Sequence, residues 1–104
     1  MRHGEVWWAS LPNPVGRRPV LLLSRDSMPR GRGEITVAYC TTTVRNQPVE
    51  VFLTAADGMP TPCVVNLDSI NTIPKSCLRY RICTLSPARM TDVKAAIFEA
   101  LDLK

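Results

Sequence analysis

Residues 79–101, RYRICTLSPARMTDVKAAIFEAL, decide the fold, because they hold the last predicted strand and the single long helix. Polar and apolar residues alternate over residues 79–85, which is the pattern of a half-buried strand. Ser86 can act as the N-cap of a following helix, and Pro87 fits its first position. The apolar residues of that helix recur at spacings of three and four and share one face. These are Met90, Val93, Ile97, Ala100 and Leu101.

The chain before this segment consists of short strand-like stretches separated by loops that contain Pro and Gly. The predicted strands span residues 5–10, 18–24, 34–40, 49–54 and 63–67, with a turn and a further strand start in 68–74 and a helical turn at 75–78. Six or seven strands followed by one helix predict a mainly β fold. We expect a small, partly closed, SH3-like antiparallel barrel with the C-terminal helix packed on it, in one domain over residues 1–104.

The composition is basic and rich in arginine. Thirteen Lys and Arg residues oppose nine Asp and Glu, which gives a net charge of +4, and ten of the thirteen are Arg. A folded surface that gathers several arginines attracts a polyanion. His3 is the only histidine, so catalytic sites that need a pair of histidines are excluded. A Ser-His-Asp or Cys-His site would have to draw its base from the N-terminal tail.

No segment indicates a membrane or a secretory route. The longest apolar run covers residues 20–23, far short of the roughly 20 residues that span a bilayer. The first residues carry charge without a following apolar run, so no signal peptide is predicted. We therefore expect a cytoplasmic protein with no membrane partner.

The four cysteines, Cys40, Cys63, Cys77 and Cys83, are widely spaced and form no C-x-x-C pair. In a cytosolic chain with an adequate apolar core, this pattern predicts buried free thiols rather than disulfides or a zinc site. The carboxylates Glu34, Glu50, Asp57 and Asp68 form no metal-like cluster in the sequence. We expect no cofactor, and a general base is not evident.

Two adjacent arginines form the first candidate site. Arg17 and Arg18 lie where a Pro/Gly loop meets a buried strand, and Pro19 restrains Arg18 to an extended conformation. A guanidinium held there suits the paired acceptors of a phosphate. The sequence pattern alone favours a solvated surface pair, since charged side chains usually lie on the surface.

Hydroxyl and aromatic residues form two further candidates. The run Thr41, Thr42 and Thr43 follows a strand and can bind phosphate or ribose oxygens, although β-propensity and loop capping also account for it. Trp7 and Trp8 point to opposite faces of their strand. One is expected in the core, and the other either stacks on a base or packs in a subunit contact.

Four segments follow one another along the chain: residues 4–7 (GEVW), 18–24 (RPVLLLS), 37–41 (VAYCT) and 64–73 (VVNLDSINTI). Together, in this order, they resemble the MazF/PemK family of toxin endoribonucleases. The resemblance continues into the C-terminal helix through residues 85–88 (LSPA), so it covers nearly the whole chain. It implies a barrel-like sheet with a C-terminal helix, in agreement with the strand count. It also implies a homodimer that cleaves single-stranded RNA without a metal, and an antitoxin whose flexible tail covers the RNA groove.

The family's catalytic arginine and threonine correspond to Arg18, which directly precedes Pro19, and Thr41, which directly follows its strand. The resemblance implies that Arg18 stabilises the charge on the phosphoryl oxygens and that Thr41 holds the phosphate in position by a hydrogen bond. The RNA supplies the nucleophile, which is its own 2′-hydroxyl. It further implies substrate contacts from six residues. These are Asn13, Arg17, Thr42, Arg45, Ser69 and Asn71.

Two other functions fit a fold of this kind. A CcdB-like toxin binds DNA gyrase and cuts nothing, and fold alone does not separate it from a nuclease. An SH3-like interaction module would present an exposed aromatic groove to extended peptides, for which six aromatic residues are few. Arg18 and Thr41 in their family context favour the nuclease.

Overall fold

The computed structural model describes residues 1–103, which form six strands and one α-helix. The strands are β1 (Glu5–Ser10), β2 (Arg17–Leu22), β3 (Glu34–Thr41), β4 (Glu50–Leu53), β5 (Cys63–Pro74) and β6 (Leu78–Thr84). The helix α1 spans Pro87–Ala100, and two short 3-10 helices lie at Ala55–Asp57 and Lys75–Cys77.

All six strands belong to one antiparallel sheet in the order β4-β5-β3-β2-β1-β6. The sheet curls into a half-barrel, with β4 and β6 as its two edges. The mainly β fold with one C-terminal helix is therefore confirmed. In this order β3 and β2 are central, so the end of β3 and the start of β2 lie at the middle of one rim.

The strand β5 differs from the prediction of a short strand, a turn and a second strand. It is one continuous strand of 12 residues. Its first part pairs with both β3 and β4, and its second part pairs with β3 alone. The pairing of β3 with β5 shifts register between Ala38 and Cys40, which lets the two strands bend together. The chain therefore does not need a turn near Asp68.

The start of α1 is as predicted, since the Ser86 hydroxyl accepts a hydrogen bond from the Arg89 amide and Pro87 occupies the first turn. Its buried face is centred on Val93 and Ala96. The prediction that Leu101 belongs to this face is wrong. The helix ends at Ala100, and Leu101 follows as the C-cap with 55% of its surface exposed.

Each face of the sheet has its own buried cluster. The cluster under α1 contains Val6, Leu21, Ala38, Cys40, Val51, Leu53, Met59, Cys63, Val65, Leu67, Leu85, Val93 and Ala96. The cluster on the other face contains Ala9, Leu11, Val20, Leu22, Ile35, Val37, Ile73 and Leu78. Alternate residues of β2 enter different clusters, as the period of a strand requires. The central strands are consequently fixed from both sides.

All four cysteines are free thiols, as predicted, but the expected burial holds for only two of them. Cys40 and Cys63 are buried, whereas Cys77 and Cys83 are half-buried. Within residues 1–103 there is no helix with both the length and the apolar character needed to cross a membrane.

Candidate active site

Arg18 has a fixed side chain at the start of β2. Its Nη2 donates a 3.1 Å hydrogen bond to the carbonyl of Val15, and its guanidinium carbon lies 5.7 Å from the centre of the Tyr39 ring. The Nε atom is buried and has no hydrogen-bond partner among the described residues. A guanidinium has five N–H donors, so this arrangement orients Arg18 and leaves donors for a ligand.

Thr41 is the last residue of β3 and pairs with Val64 of β5. Its hydroxyl oxygen accepts a 3.2 Å hydrogen bond from the backbone amide of Thr43. This contact restrains the side chain and leaves the hydroxyl hydrogen available for donation. Thr41 can therefore offer one well-placed donor at the rim.

Two cavities meet at Arg18 and Thr41, which line both of them. The first, which we call the Trp8 cavity, has a volume of about 330 Å³. Its lining residues are Trp8, Arg17, Arg18, Pro19, Cys40, Thr41, Thr42, Met59, Pro60, Thr61 and Cys63. The second, which we call the Glu50 cavity, has a volume of about 230 Å³ and is lined by Arg18, Thr41, Thr43, Arg45, Glu50, Asn66 and Ser69.

The far side of the Trp8 cavity is built from an aromatic ring and a second arginine. The guanidinium carbon of Arg17 lies 5.6 Å from the centre of the Trp8 ring. Trp8 pairs with Pro19 across β1 and β2, and Arg17 is two residues from Pro19, so the strand register places all three on one face. The indole Nε1 is buried without a partner among the described residues.

The opposite wall is the segment from Met59 to Thr61, which is firmly anchored. The preceding 3-10 helix has a capping box, in which Thr54 and Asp57 each accept a backbone hydrogen bond from the other end of the turn. Asp57 also accepts a 2.9 Å hydrogen bond from Nε of Arg89 in α1. Met59 itself is buried in the cluster under α1. A shift of the helix would therefore also shift this wall of the cavity.

Two buried thiols line the Trp8 cavity. A hydrogen bond to Cys63 and burial together raise the pKa of Cys40 well above its usual value. The same hydrogen bond lowers the pKa of Cys63, against the effect of its burial. The interaction between the two thiols therefore shifts their pKa values in opposite directions, next to the rim that carries Thr41.

The electrostatics of the two cavities are dominated by cations. Arg17, Arg18 and Arg45 line them, and Glu50 is the one carboxylate that does so in the described part of the chain. Residues 1–103 contain no group of three or more His, Cys, Asp or Glu side chains placed to hold a metal ion. The site thus offers guanidinium, hydroxyl and amide groups, which bind phosphate and ribose oxygens.

Comparison with known proteins decides the family. A sequence model described as the PemK-like, MazF-like toxin of type II toxin-antitoxin systems matches residues 2–101. The chain belongs to this PemK/MazF toxin family. A probable endoribonuclease MazF2 from Mycobacterium tuberculosis is 45% identical over 91 residues, which cover 86% of this chain and 87% of the relative.

Solved structures agree with this assignment. The Mycobacterium tuberculosis toxin MazF-mt6 superposes with a TM-score of 0.87 at 35% identity, covering 96% of this chain and 98% of that toxin. An endoribonuclease in complex with its cognate antitoxin, from Mycobacterial species, gives a TM-score of 0.87 at 28% identity and covers 100% and 97% of the two chains. The family and the fold that the resemblance implied are both confirmed.

In this MazF-like chain, four of the six predicted substrate contacts lie at the two cavities. Arg17 and Thr42 line the Trp8 cavity, and Arg45 and Ser69 line the Glu50 cavity. Asn13 and Asn71 line neither. Asn13 is exposed in the loop between β1 and β2, and Asn71 is an exposed residue of β5 that pairs with Val37.

The sequence alone missed several residues of this MazF-like site. The missed residues are Met59, Pro60 and Thr61 of the Trp8 cavity and Glu50 and Asn66 of the Glu50 cavity. The Gly and Pro of residues 55–62 predict only a long loop. The alternation over residues 49–54 predicts a strand in which Glu50 is one polar position. Neither pattern contains a signal for a binding site, because the site exists only once β4 and β5 pair beside β3.

Proposed function

We propose that this protein is a metal-independent endoribonuclease that cleaves single-stranded RNA, with the ribose 2′-hydroxyl as the nucleophile. The observation that carries the proposal is Arg18. Its guanidinium is oriented by contacts with Val15 and Tyr39 and keeps further N–H donors for a ligand. It lines the same two cavities as Thr41. The named relatives are endoribonucleases, which supports the same reaction.

The chemistry requires little beyond positioning and charge stabilisation. RNA carries its own nucleophile, so the protein does not need an activated serine or cysteine. Arg18 binds the non-bridging phosphoryl oxygens and stabilises the charge that grows on them in the transition state. Thr41 donates its hydroxyl hydrogen to one of these oxygens and holds the phosphate in line with the 2′-oxygen. Because these groups bind phosphate directly, no metal ion is needed for that purpose.

The two cavities provide room for the nucleotides on either side of the scissile phosphate. On one side, the Trp8 ring with Arg17 above it offers a surface on which a base can stack. On the other side, Arg45 and Ser69 line the Glu50 cavity and can bind the sugar-phosphate backbone. A single-stranded RNA that crosses the rim fits this arrangement.

We further propose that the protein acts in the cytoplasm as a homodimer and is neutralised by an antitoxin. A related structure contains an endoribonuclease with its cognate antitoxin, which supports such a partner. An antitoxin tail that carries carboxylates would pair with Arg17, Arg18 and Arg45 and cover the RNA site. Exposed aromatic residues, among them Tyr80 and Phe98, offer apolar surface for a second copy.

The deciding experiment incubates the purified protein with a long single-stranded RNA in EDTA and maps the cut ends. We expect discrete cuts that leave a 5′-hydroxyl. Arg18→Ala should slow cleavage by roughly 10²–10³-fold, the usual cost of one lost electrostatic donor. Thr41→Ala should also cut slowly while it keeps the wild-type melting temperature. RNA that stays intact across varied sequences would refute the proposal and favour a toxin that binds its target without cutting.

A further inference from the structure

Glu50 is the acidic side chain of the candidate site. It begins the edge strand β4, pairs with Asn66 of β5, and lines the cavity that also contains Arg18 and Thr41. No other Asp or Glu of residues 1–103 lines either cavity. A carboxylate beside two phosphate-binding groups is unexpected unless it has a separate task, because it repels the anionic substrate.

The two oxygens of this carboxylate have different surroundings. Oε1 accepts hydrogen bonds from the backbone amides of Arg45, at 3.0 Å, and Gln47, at 3.4 Å. Oε2 has no hydrogen bond or ion pair within residues 1–103. One oxygen therefore anchors the side chain to the loop before β4, and the other remains free to accept a proton.

The strand register places Glu50 on the same face of the sheet as Thr41. Thr41 pairs with Val64, which in turn pairs with Phe52 on β4, and Glu50 is two residues before Phe52. Two strand spacings and one two-residue step separate the Cα atoms of Thr41 and Glu50 by roughly 12 Å. A ribose and its 3′-phosphate fit across this distance, with the phosphate at Thr41 and the sugar at Glu50.

We propose that Glu50 is the general base of the cleavage reaction, an inference that rests on the proposed function. Oε2 of Glu50 takes the proton of the ribose 2′-hydroxyl as the 2′-oxygen bonds to phosphorus. The bond from phosphorus to the 5′-oxygen breaks, and the leaving oxygen takes a proton from water. The products are a 2′,3′-cyclic phosphate and a 5′-hydroxyl end.

The other groups at the rim are poor candidates for this task. The Arg18 guanidinium is always protonated and has no acceptor atom. The hydroxyls of Thr41 and Ser69 and the amide of Asn66 are weak bases. The Cys63 thiol lies on the other side of the rim, in the Trp8 cavity, and does not line the Glu50 cavity.

The charges around Glu50 come from three elements. Arg18 on β2 and Arg45 in the loop before β4 line its cavity. Arg89 and Asp92 of α1 share a second groove with it, on the helix side of β4. The RNA side of Glu50 therefore carries positive charge, which offsets the repulsion between its carboxylate and the anionic substrate.

The test compares Glu50→Gln with wild type in steady-state cleavage of RNA. Gln keeps an acceptor oxygen for the amides of Arg45 and Gln47 but does not act as a base, so a role confined to anchoring this loop would leave the rate unchanged. We expect kcat to fall by about 10²–10⁴-fold, the usual contribution of a general base. KM and the melting temperature should stay close to those of wild type.

The pH profile provides a readout that an anchoring role would not change. A reaction that depends on a general base slows at acidic pH, so kcat/KM of wild type should show an acidic limb that is absent in Glu50→Gln. A wild-type profile without an acidic limb would overturn the proposal, and this measurement does not depend on whether the variant folds. Glu34→Gln serves as a control that should retain the limb, because Glu34 is an exposed carboxylate that lines neither cavity.

A substrate with a sulfur in place of the 5′-bridging oxygen separates base from acid catalysis. A thiolate leaves without protonation, so a defect in proton donation disappears with this substrate, whereas a defect in removing the 2′-proton persists. We expect the Glu50→Gln defect to persist, and its disappearance would overturn the assignment as a base.

If wild type does not cleave RNA at all, the proposed function fails. If wild type cleaves and Glu50→Gln cleaves equally fast, only the inference about Glu50 fails.

Discussion

The carboxylate of Asp57 and the guanidinium of Arg89 form a 2.9 Å hydrogen-bonded ion pair between the segment before β5 and the first turn of α1. The Asp57 side chain is only 10% exposed, so this pair is better shielded from solvent than the other ion pairs of Arg89 and Arg2. Met59 and Pro60, which line the Trp8 cavity, are two and three residues after Asp57. The pair therefore links the position of the helix to the shape of the candidate site.

Replacement of Asp57 by Asn should lower the melting temperature at neutral pH by a few degrees. Asn keeps the shape of the side chain but loses the charge that strengthens the hydrogen bond from Arg89. The measurement is thermal unfolding followed by circular dichroism. Asp92→Asn is a suitable control, because Asp92 also pairs with Arg89 but is 54% exposed. Equal effects of the two substitutions would contradict the importance of burial at Asp57.

The advantage of wild type over Asp57→Asn should depend on pH. The hydrogen bond from the Arg89 side chain, with a second from the Thr54 amide, holds the pKa of Asp57 below its usual value of 3.8. Folding thus favours the ionised carboxylate, and its stabilisation is complete above the unfolded-state pKa. The difference in melting temperature should be constant from pH 7 down to about pH 5. It should then shrink as the pH falls through the lowered pKa of the folded state.

Gly58→Ala should destabilise the protein and disturb the wall of the Trp8 cavity. Gly58 has φ +98°, and an added Cβ would lie 2.8 Å from the Cβ of Cys83. A non-glycine residue in this backbone region costs about 1–3 kcal/mol, to which the clash adds. Chemical denaturation measures the loss. Gly31→Ala is the matched control, because nothing lies within 4 Å of its added Cβ, and an equal loss there would refute the explanation.

The local features of the fold were predictable because short-range rules govern them. The sequence predicts the first strand at residues 5–10 and β1 occupies Glu5–Ser10, since its β-forming residues are followed by a loop that contains two prolines. The helix start followed from Ser86 and Pro87. The continuity of β5 was not predictable in this way. It depends on a register shift in β3, where two distant segments meet.

The candidate site was predictable only in part, for a related physical reason. The family resemblance points to Arg18 and Thr41, and the strand period predicts that Trp7 and Trp8 lie on opposite faces of β1. No sequence motif points to Glu50 or to the wall formed by Met59–Thr61. They reach the site through pairing of β4 with β5 and through the Asp57–Arg89 contact, which join residues far apart in the chain.

Cys63 should react with iodoacetamide ahead of Cys40, and its labelling should accelerate with rising pH. The hydrogen bond from Cys40 lowers the pKa of Cys63 and raises that of Cys40, so the reactive thiolate forms first at Cys63. Both thiols line the Trp8 cavity, so RNA bound there should slow their labelling. Peptide mass spectrometry measures each site. Cys77, which does not line this cavity, should be labelled at the same rate with and without RNA.

Trp8→Ala should weaken RNA binding more than Trp8→Phe. If a base stacks on the indole, removal of the ring costs about 1–3 kcal/mol of binding free energy, whereas phenylalanine retains a smaller stacking surface. Fluorescence anisotropy with a labelled 2′-fluoro RNA measures binding without cleavage, because this RNA lacks the 2′-hydroxyl. Trp7 provides the matched control, since its Nε1 donates to Glu5 and the ring packs against the buried cluster on the other face. Stacking also predicts that RNA quenches tryptophan emission in wild type but not in Trp8→Phe. Equal quenching in the two proteins would place the base elsewhere in the cavity.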